Sequence, residues 1–160
     1  MEKTIMKEKT CCFTGHRKIP ANELRGIKKR LKREIIALIR QGVCFFGTGG
    51  ALGFDTLAAL TVLKLKWRYP HIKLILVLPC KNQTLKWQMK DIDVYRKILS
   101  EADKVCYTSE HYDKNCMLLR NRHLVDCSGY CISYLTQNMG GTAYTVNYAI
   151  EKGLKIISVA

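Results

Sequence analysis

The chain has 160 residues, 48% of them apolar and 25% charged, with a formal net charge of +14. This length and apolar content fit a single globular domain with a substantial core and exclude a disordered or fibrous chain. No apolar run approaches the roughly 20 residues needed to span a bilayer, so no membrane partner is expected, and the basic excess points towards phosphate-bearing partners.

Residues 1–9 are charged and lack an apolar segment, so they read as an N-terminal tail rather than a secretory leader. A short first strand over 10–14 breaks at Gly15-His16-Arg17. Pro20 then precedes a helix over 21–41 with Leu24, Ile27, Leu31, Ile35 and Leu38 on one stripe and Arg25, Lys28, Lys29, Lys32 and Arg33 off it. Gly42 closes that helix. A second strand over 43–46 runs into four glycines within seven positions, Gly47, Gly49, Gly50 and Gly53, and a second helix follows from Phe54 to Tyr69. The pattern continues with a strand over 73–78, a helix over 86–101, a strand over 104–107 and a helix over 115–126. A strand over 130–135, a helix starting at Gly140-Gly141-Thr142 and ending at Lys152, and a strand over 154–159 complete it.

Strict strand–helix alternation without linker or repeat predicts one α/β domain over residues 10–160. It is Rossmann-like and doubly wound, with a mostly parallel six-stranded sheet and helices on both faces. The expected strand order is 3-2-1-4-5-6, which places the topological switch, and hence the ligand crevice, between strands one and four.

Eight cysteines are present, with no Cys-x-x-Cys pair. Several fall in apolar strand-like runs, where they act as small hydrophobes. No zinc or other metal site is expected, and a reducing, cytoplasmic setting is.

Three motifs fall at the carboxyl ends of strands. These are Gly15-His16-Arg17 after the first, Gly49-Gly50-Ala51 with Gly53 and Asp55 after the second, and Gly140-Gly141-Thr142 after the fifth. Arg120, Asn121 and Arg122 lie on the fourth helix. Glycine turns let backbone approach a ligand closely, helix starts offer unpaired N–H groups, and arginines suit phosphate oxygens. The spacing differs from the dinucleotide fingerprint and from the P-loop, so neither cofactor class is implied and no cofactor is assigned.

Together with Met117–Asp126 and the run from Gly140 to Thr145, these motifs resemble the YpsA-like proteins of the SLOG superfamily, across about residues 10 to 160. The resemblance implies a Rossmann-like fold that binds nucleotides or nucleotide-derived ligands, akin to Lonely-Guy phosphoribohydrolases and to the DNA-processing protein DprA. It also implies pairing of copies through helices, with a homodimer as the simplest form. On that basis Arg17, Arg120 and Arg122 would hold phosphate. Gly49, Gly50, Gly140, Gly141 and Thr142 would supply donors, and Asp55 and Asp126 would orient these groups or meet a ribose. Gly15, His16, Ala51, Gly53 and Thr145 belong to the same motifs.

Lonely-Guy enzymes carry a catalytic glutamate where Thr145 stands here, and a threonine cannot serve as a carboxylate acid/base. The sequence therefore favours a nucleotide-binding or sensor module. A nucleotide N-glycosidase, using Asp126 or Asp55, is the enzymatic alternative. Single-stranded nucleic-acid binding through the Arg25–Arg33 face is the third.

Overall fold

The structure is a computed structural model that describes residues 6–160. Of the expected tail over residues 1–9, residues 1–5 lie outside the described part. Residues 6–8 form a helical turn leading straight into the sheet.

Six strands alternate with five longer helices: β1 (Thr10–Gly15), α1 (Ala21–Arg40), β2 (Phe45–Thr48), α2 (Phe54–Leu65), β3 (Lys73–Leu78), α3 (Met89–Glu101), β4 (Lys104–Tyr107), α4 (Cys116–Asp126), β5 (Tyr130–Tyr134), α5 (Gly141–Glu151) and β6 (Lys155–Ser158). Each forms for a local reason. On α1 the stripe of Ile27, Leu31, Ile35 and Leu38 is buried, while Arg25, Lys28, Lys29, Lys32 and Arg33 are exposed. On α2, Leu57, Ala58, Val62 and Leu65 are buried, and Ala58 and Ala59 let the helix seat closely on the sheet.

All strand pairs are parallel, and the order is β4-β3-β2-β1-β5-β6. This corrects the expected 3-2-1-4-5-6. The fourth strand docks on the free edge of β3 instead of crossing back to β1, and β5 takes the place beside β1. Hydrophobic periodicity leaves this choice open, because both edges of a growing parallel sheet present the same unpaired N–H and C=O groups.

Steps from β1 to β4 run one way, so right-handed crossovers place α1, α2 and α3 on one face. The return to β5 and the step to β6 run the other way and place α4 and α5 on the opposite face. Accordingly α1 packs on α2, α2 on α3, and α4 on α5. The larger core fills the three-helix face around Phe13, Phe46, Phe54 and Leu76. A smaller one lies under α4 and α5, around Cys12, Val77, Leu124, Val125, Cys131 and Ala149. Two helices cover less of the sheet than three, and an apolar groove of about 570 Å3 remains over β2, β3 and β4, bordered by Phe45, Ile75, Cys106 and Leu124.

Two helices differ from expectation. The second ends at Leu65, and the third begins at Met89 instead of 86, leaving 81–88 in turns. All eight cysteines are free thiols, and no cluster of metal-ligating side chains exists among the described residues. No helix among them is long and apolar enough to cross a membrane.

Candidate functional site

The topological switch lies between β1 and β5, where Gly15 pairs with Tyr134. Chains leaving adjacent strand ends in opposite directions open a crevice there. Around it lies a recess of about 340 Å3. Thr14, Gly15, His16 and Arg17 from the β1 end form one wall. Ala51 and Asp55 from the glycine turn form another, Met117, Arg120 and Asn121 of α4 a third, and Gly141 and Thr142 at the start of α5 a fourth.

The glycine turn is built around close approaches. A Cβ at Gly53, whose φ is +77°, would stand 2.2 Å from the Arg17 carbonyl oxygen, and one at Gly15 would stand 2.4 Å from the Phe54 ring. The Phe54 N–H donates to the His16 carbonyl at 3.1 Å, so the β1 and β2 loops are locked together. Within the turn, the Ala51 N–H donates to Asp55 Oδ2 at 3.2 Å and the Thr56 hydroxyl donates to the Ala51 carbonyl at 2.8 Å.

Asp55 and Arg120 form the buried floor, 7% and 4% exposed. The Arg120 guanidinium donates to the Gly49 carbonyl and, through Nε at 2.7 Å, to Asn121 Oδ1. Glycine at 49 leaves room for that guanidinium, which a Cβ there would displace. Burial pushes the Asp55 carboxyl above the usual carboxylate range, against the opposing pull of Arg120, the Ala51 N–H and Arg17. Burial also lowers the Arg120 guanidinium from its ordinary value; Asp55 opposes the fall and Arg17 adds to it. Asp55 is thus committed to the Ala51 N–H and Arg120 to the Gly49 carbonyl and Asn121, whereas Arg17 is exposed at the mouth.

The α5 start supplies the other half of an anion cradle. Gly140, at φ +98°, caps the helix without a side-chain hydrogen bond, and no acidic residue sits in the first turn. Its first N–H groups and positive dipole end are therefore unneutralised where they border the recess. His16 holds this loop in place, since its Nε2 accepts from the Thr136 N–H at 2.9 Å.

The structure brings together Gly15, His16, Arg17, Ala51, Asp55, Arg120, Gly141 and Thr142 on the recess, with Gly49, Gly50, Gly53 and Gly140 immediately behind its walls. Three expected residues stand elsewhere. Arg122 points outward and lies 5.7 Å from the ring centroids of both Tyr144 and Tyr148. Asp126 accepts from the Tyr148 hydroxyl at 2.7 Å and borders the apolar groove instead of the crevice. Thr145 is 3% exposed and its hydroxyl donates to the Gly141 carbonyl at 2.8 Å, which turns it into the helix. Two of these follow from the 100° step of a helix, since Arg122 is two residues from Arg120 and Asp126 is six. Thr145 shares the face of Gly141 but stands one turn deeper along α5. Thr14, Met117 and Asn121 also line the recess; Met117 and Asn121 belong to the fourth-helix motif without an assigned ligand role, and Thr14 is the last strand residue before Gly15.

With this geometry in hand, the chain can be compared with known proteins. The profile of the family described as YspA SLOG family, YpsA, matches residues 11–156. The chain belongs to the YpsA family of SLOG proteins. A UPF0398 protein of Brevibacillus brevis is 33% identical over 129 residues, spanning 79% of this chain and 69% of that protein. Among solved structures, DNA processing protein A (DprA) of Streptococcus pneumoniae superposes with a TM-score of 0.71 at 18% identity, covering 96% of this chain. This chain spans 51% of the pneumococcal protein's length. DNA processing protein A of Helicobacter pylori, whose structure concerns its single-stranded DNA binding mode, superposes with a TM-score of 0.67 at 20% identity, covering 99% of this chain and 67% of that one. At these identities the two structures establish the shared Rossmann-like fold of the YpsA member.

Proposed function

We propose that this YpsA-family chain is a binding or sensor module for a nucleotide or nucleotide-derived small molecule at the β1/β5 crevice. The observation that carries the reading is the convergence of exposed Arg17 with the uncapped α5 start above a buried Asp55–Arg120 floor. A phosphate would rest against Arg17 and the Gly141 and Thr142 end of α5, where charge and free N–H groups coincide. Arg120 keeps the Gly49 turn in shape beneath it, and Asp55 orients the same turn through Ala51.

The arrangement supports binding more than hydrolysis. Among the described residues Asp55 is the only carboxylate on the recess, and it is bonded to backbone and faced by Arg120. A glycosidase would need a carboxylate free to exchange a proton with the ligand. The test is a thermal-shift and calorimetric screen against nucleoside mono- and diphosphates, dinucleotides and ADP-ribose derivatives, with base release measured in parallel. Binding without turnover supports the module; multiple-turnover base release overturns it in favour of the enzyme.

A second reading rests on α1. Arg25, Lys28, Lys29, Lys32, Arg33 and Arg40 are exposed along one face, and among the described residues the one acidic partner of this row is Glu34, 3.6 Å from Arg33. Such a row suits a phosphate backbone and would give single-strand binding that weakens steeply with salt.

A further inference from the structure

The turn segment between β3 and α3, residues 81–88, contains a polar side chain that the fold itself does not satisfy. Gln83 is 9% exposed, and its Oε1 is buried without a hydrogen-bond partner among the described residues. Its amide nitrogen is used, donating to the Tyr95 hydroxyl at 3.2 Å. Exchanging the two ends of the amide would only move the deficit from oxygen to nitrogen, because Tyr95 offers a single hydroxyl. Buried polar groups are nearly always paired, and one left over calls for a partner the chain does not supply.

The location of Gln83 indicates what that partner is. A Cβ on Gly50 would lie 3.4 Å from Gln83 Nε2 and 3.5 Å from the Tyr95 ring, so the amide sits directly against the glycine turn. The next residue, Ala51, is already a wall of the recess. Gln83 therefore lies just beyond the recess on the Ala51 side, whereas Arg17, Gly141 and Thr142 belong to its other walls. Trp87 of the same segment is half-buried and meets the Tyr95 ring edge-on, with centroids 5.5 Å apart. An aromatic plane and an amide from this segment, set against a phenol of α3, are the groups that recognise a heteroaromatic base, and the opposite end of the crevice has the groups that recognise a phosphate.

Building on the crevice reading above, we propose that residues 81–88 form a nucleobase subsite, in which Gln83 Oε1 accepts an N–H of the base and Trp87 borders its ring. The segment has no regular secondary structure to oppose the small adjustment that admits the base. Its closure over the base would then complete the hydrogen bonding of Gln83.

The chain has only two tryptophans, and Trp67 is 92% exposed, so Trp67→Phe leaves Trp87 as a single fluorescent reporter inside the proposed subsite. In that background, AMP, GMP, CMP, UMP, ribose 5-phosphate and inorganic phosphate are titrated. At least one nucleotide should shift Trp87 emission and bind at least tenfold tighter than ribose 5-phosphate. Gln83→Leu should remove that tenfold advantage while leaving ribose 5-phosphate affinity unchanged, which also verifies that the variant is folded; Gln83→Met is the second variant. Equal losses for nucleotide and ribose 5-phosphate would overturn the base assignment, as would unchanged nucleotide affinity in both variants. If the parent binds ribose 5-phosphate and no base improves on it, the subsite falls and the phosphate crevice stands. If it binds none of the probes, both fall.

Discussion

Replacing Arg120 by methionine should reveal how the crevice floor is held together. Arg120 is 4% exposed and bonded to the Gly49 carbonyl and Asn121, with Asp55 as its buried countercharge. Methionine keeps much of the volume but leaves Asp55 uncompensated and the Gly49 carbonyl unpaired. Leaving a buried hydrogen-bonding group unsatisfied costs about 1–3 kcal/mol, and more for a charged one, which sets the scale for the Gly49 carbonyl and for Asp55. A domain of this kind has only about 5–15 kcal/mol in total, so the variant should remain folded but with much of its stability gone.

The cost should depend on pH in a definite sense. The Asp55 carboxyl is held above its ordinary value by burial even with Arg120 present, and losing the arginine raises it further. A carboxyl whose folded value is raised binds protons more tightly in the folded state. Its contribution is fully present below the unfolded value and is lost as pH rises through the folded one, at up to about 1.4 kcal/mol per pH unit. Urea unfolding of Arg120→Met should therefore show a larger deficit near about pH 7 than near about pH 5. The double variant Asp55→Asn/Arg120→Met should recover about 1–3 kcal/mol at the higher pH and lose the dependence, since asparagine cannot ionise. A deficit independent of pH, or additive double-variant behaviour, would refute the coupling of these residues.

Other outcomes are equally specific. Arg17→Ala, at the exposed mouth, should weaken a phosphorylated ligand by about 1.5–3 kcal/mol in calorimetry with little change in melting temperature; a large stability loss with unchanged affinity would remove Arg17 from the site. Gly53→Ala should be far more damaging than Gly153→Ala. Both have positive φ, +77° and +82°, but a Cβ at 53 meets Arg17 backbone at 2.2 Å and one at 153 meets nothing within 4 Å. The second should cost about 1–2 kcal/mol in chemical denaturation. Charge reversal of Lys28, Lys29, Lys32 and Arg33 to Glu should leave nucleotide affinity intact while abolishing any salt-sensitive oligonucleotide binding in fluorescence anisotropy; loss of nucleotide affinity with the fold preserved would count against the separate crevice.

The sequence alone determined the features that are local. Strand–helix alternation is written in the 2.0 and 3.6 periods, the α1 stripe is readable residue by residue, and Gly53 and Gly140 mark turns whose backbone only glycine adopts readily. These depend on neighbours a few positions apart and on backbone sterics, which a single chain displays directly. Tertiary structure decided what depends on distant partners. It put β5 beside β1, which moved the switch point, because either sheet edge could have received β4. Helical spacing already turns Arg120 inward, one turn from Met117, and Arg122 away from it, but that Arg120 closes on the Gly49 turn while Arg122 meets Tyr144 and Tyr148 depends on partners distant in sequence. Asp126 turned away for the same angular reason, and Thr145 lies one turn deeper in α5 than the recess. Gln83 became conspicuous only when burial removed water from its amide and packing against Gly50 and Tyr95 left one of its atoms without a partner.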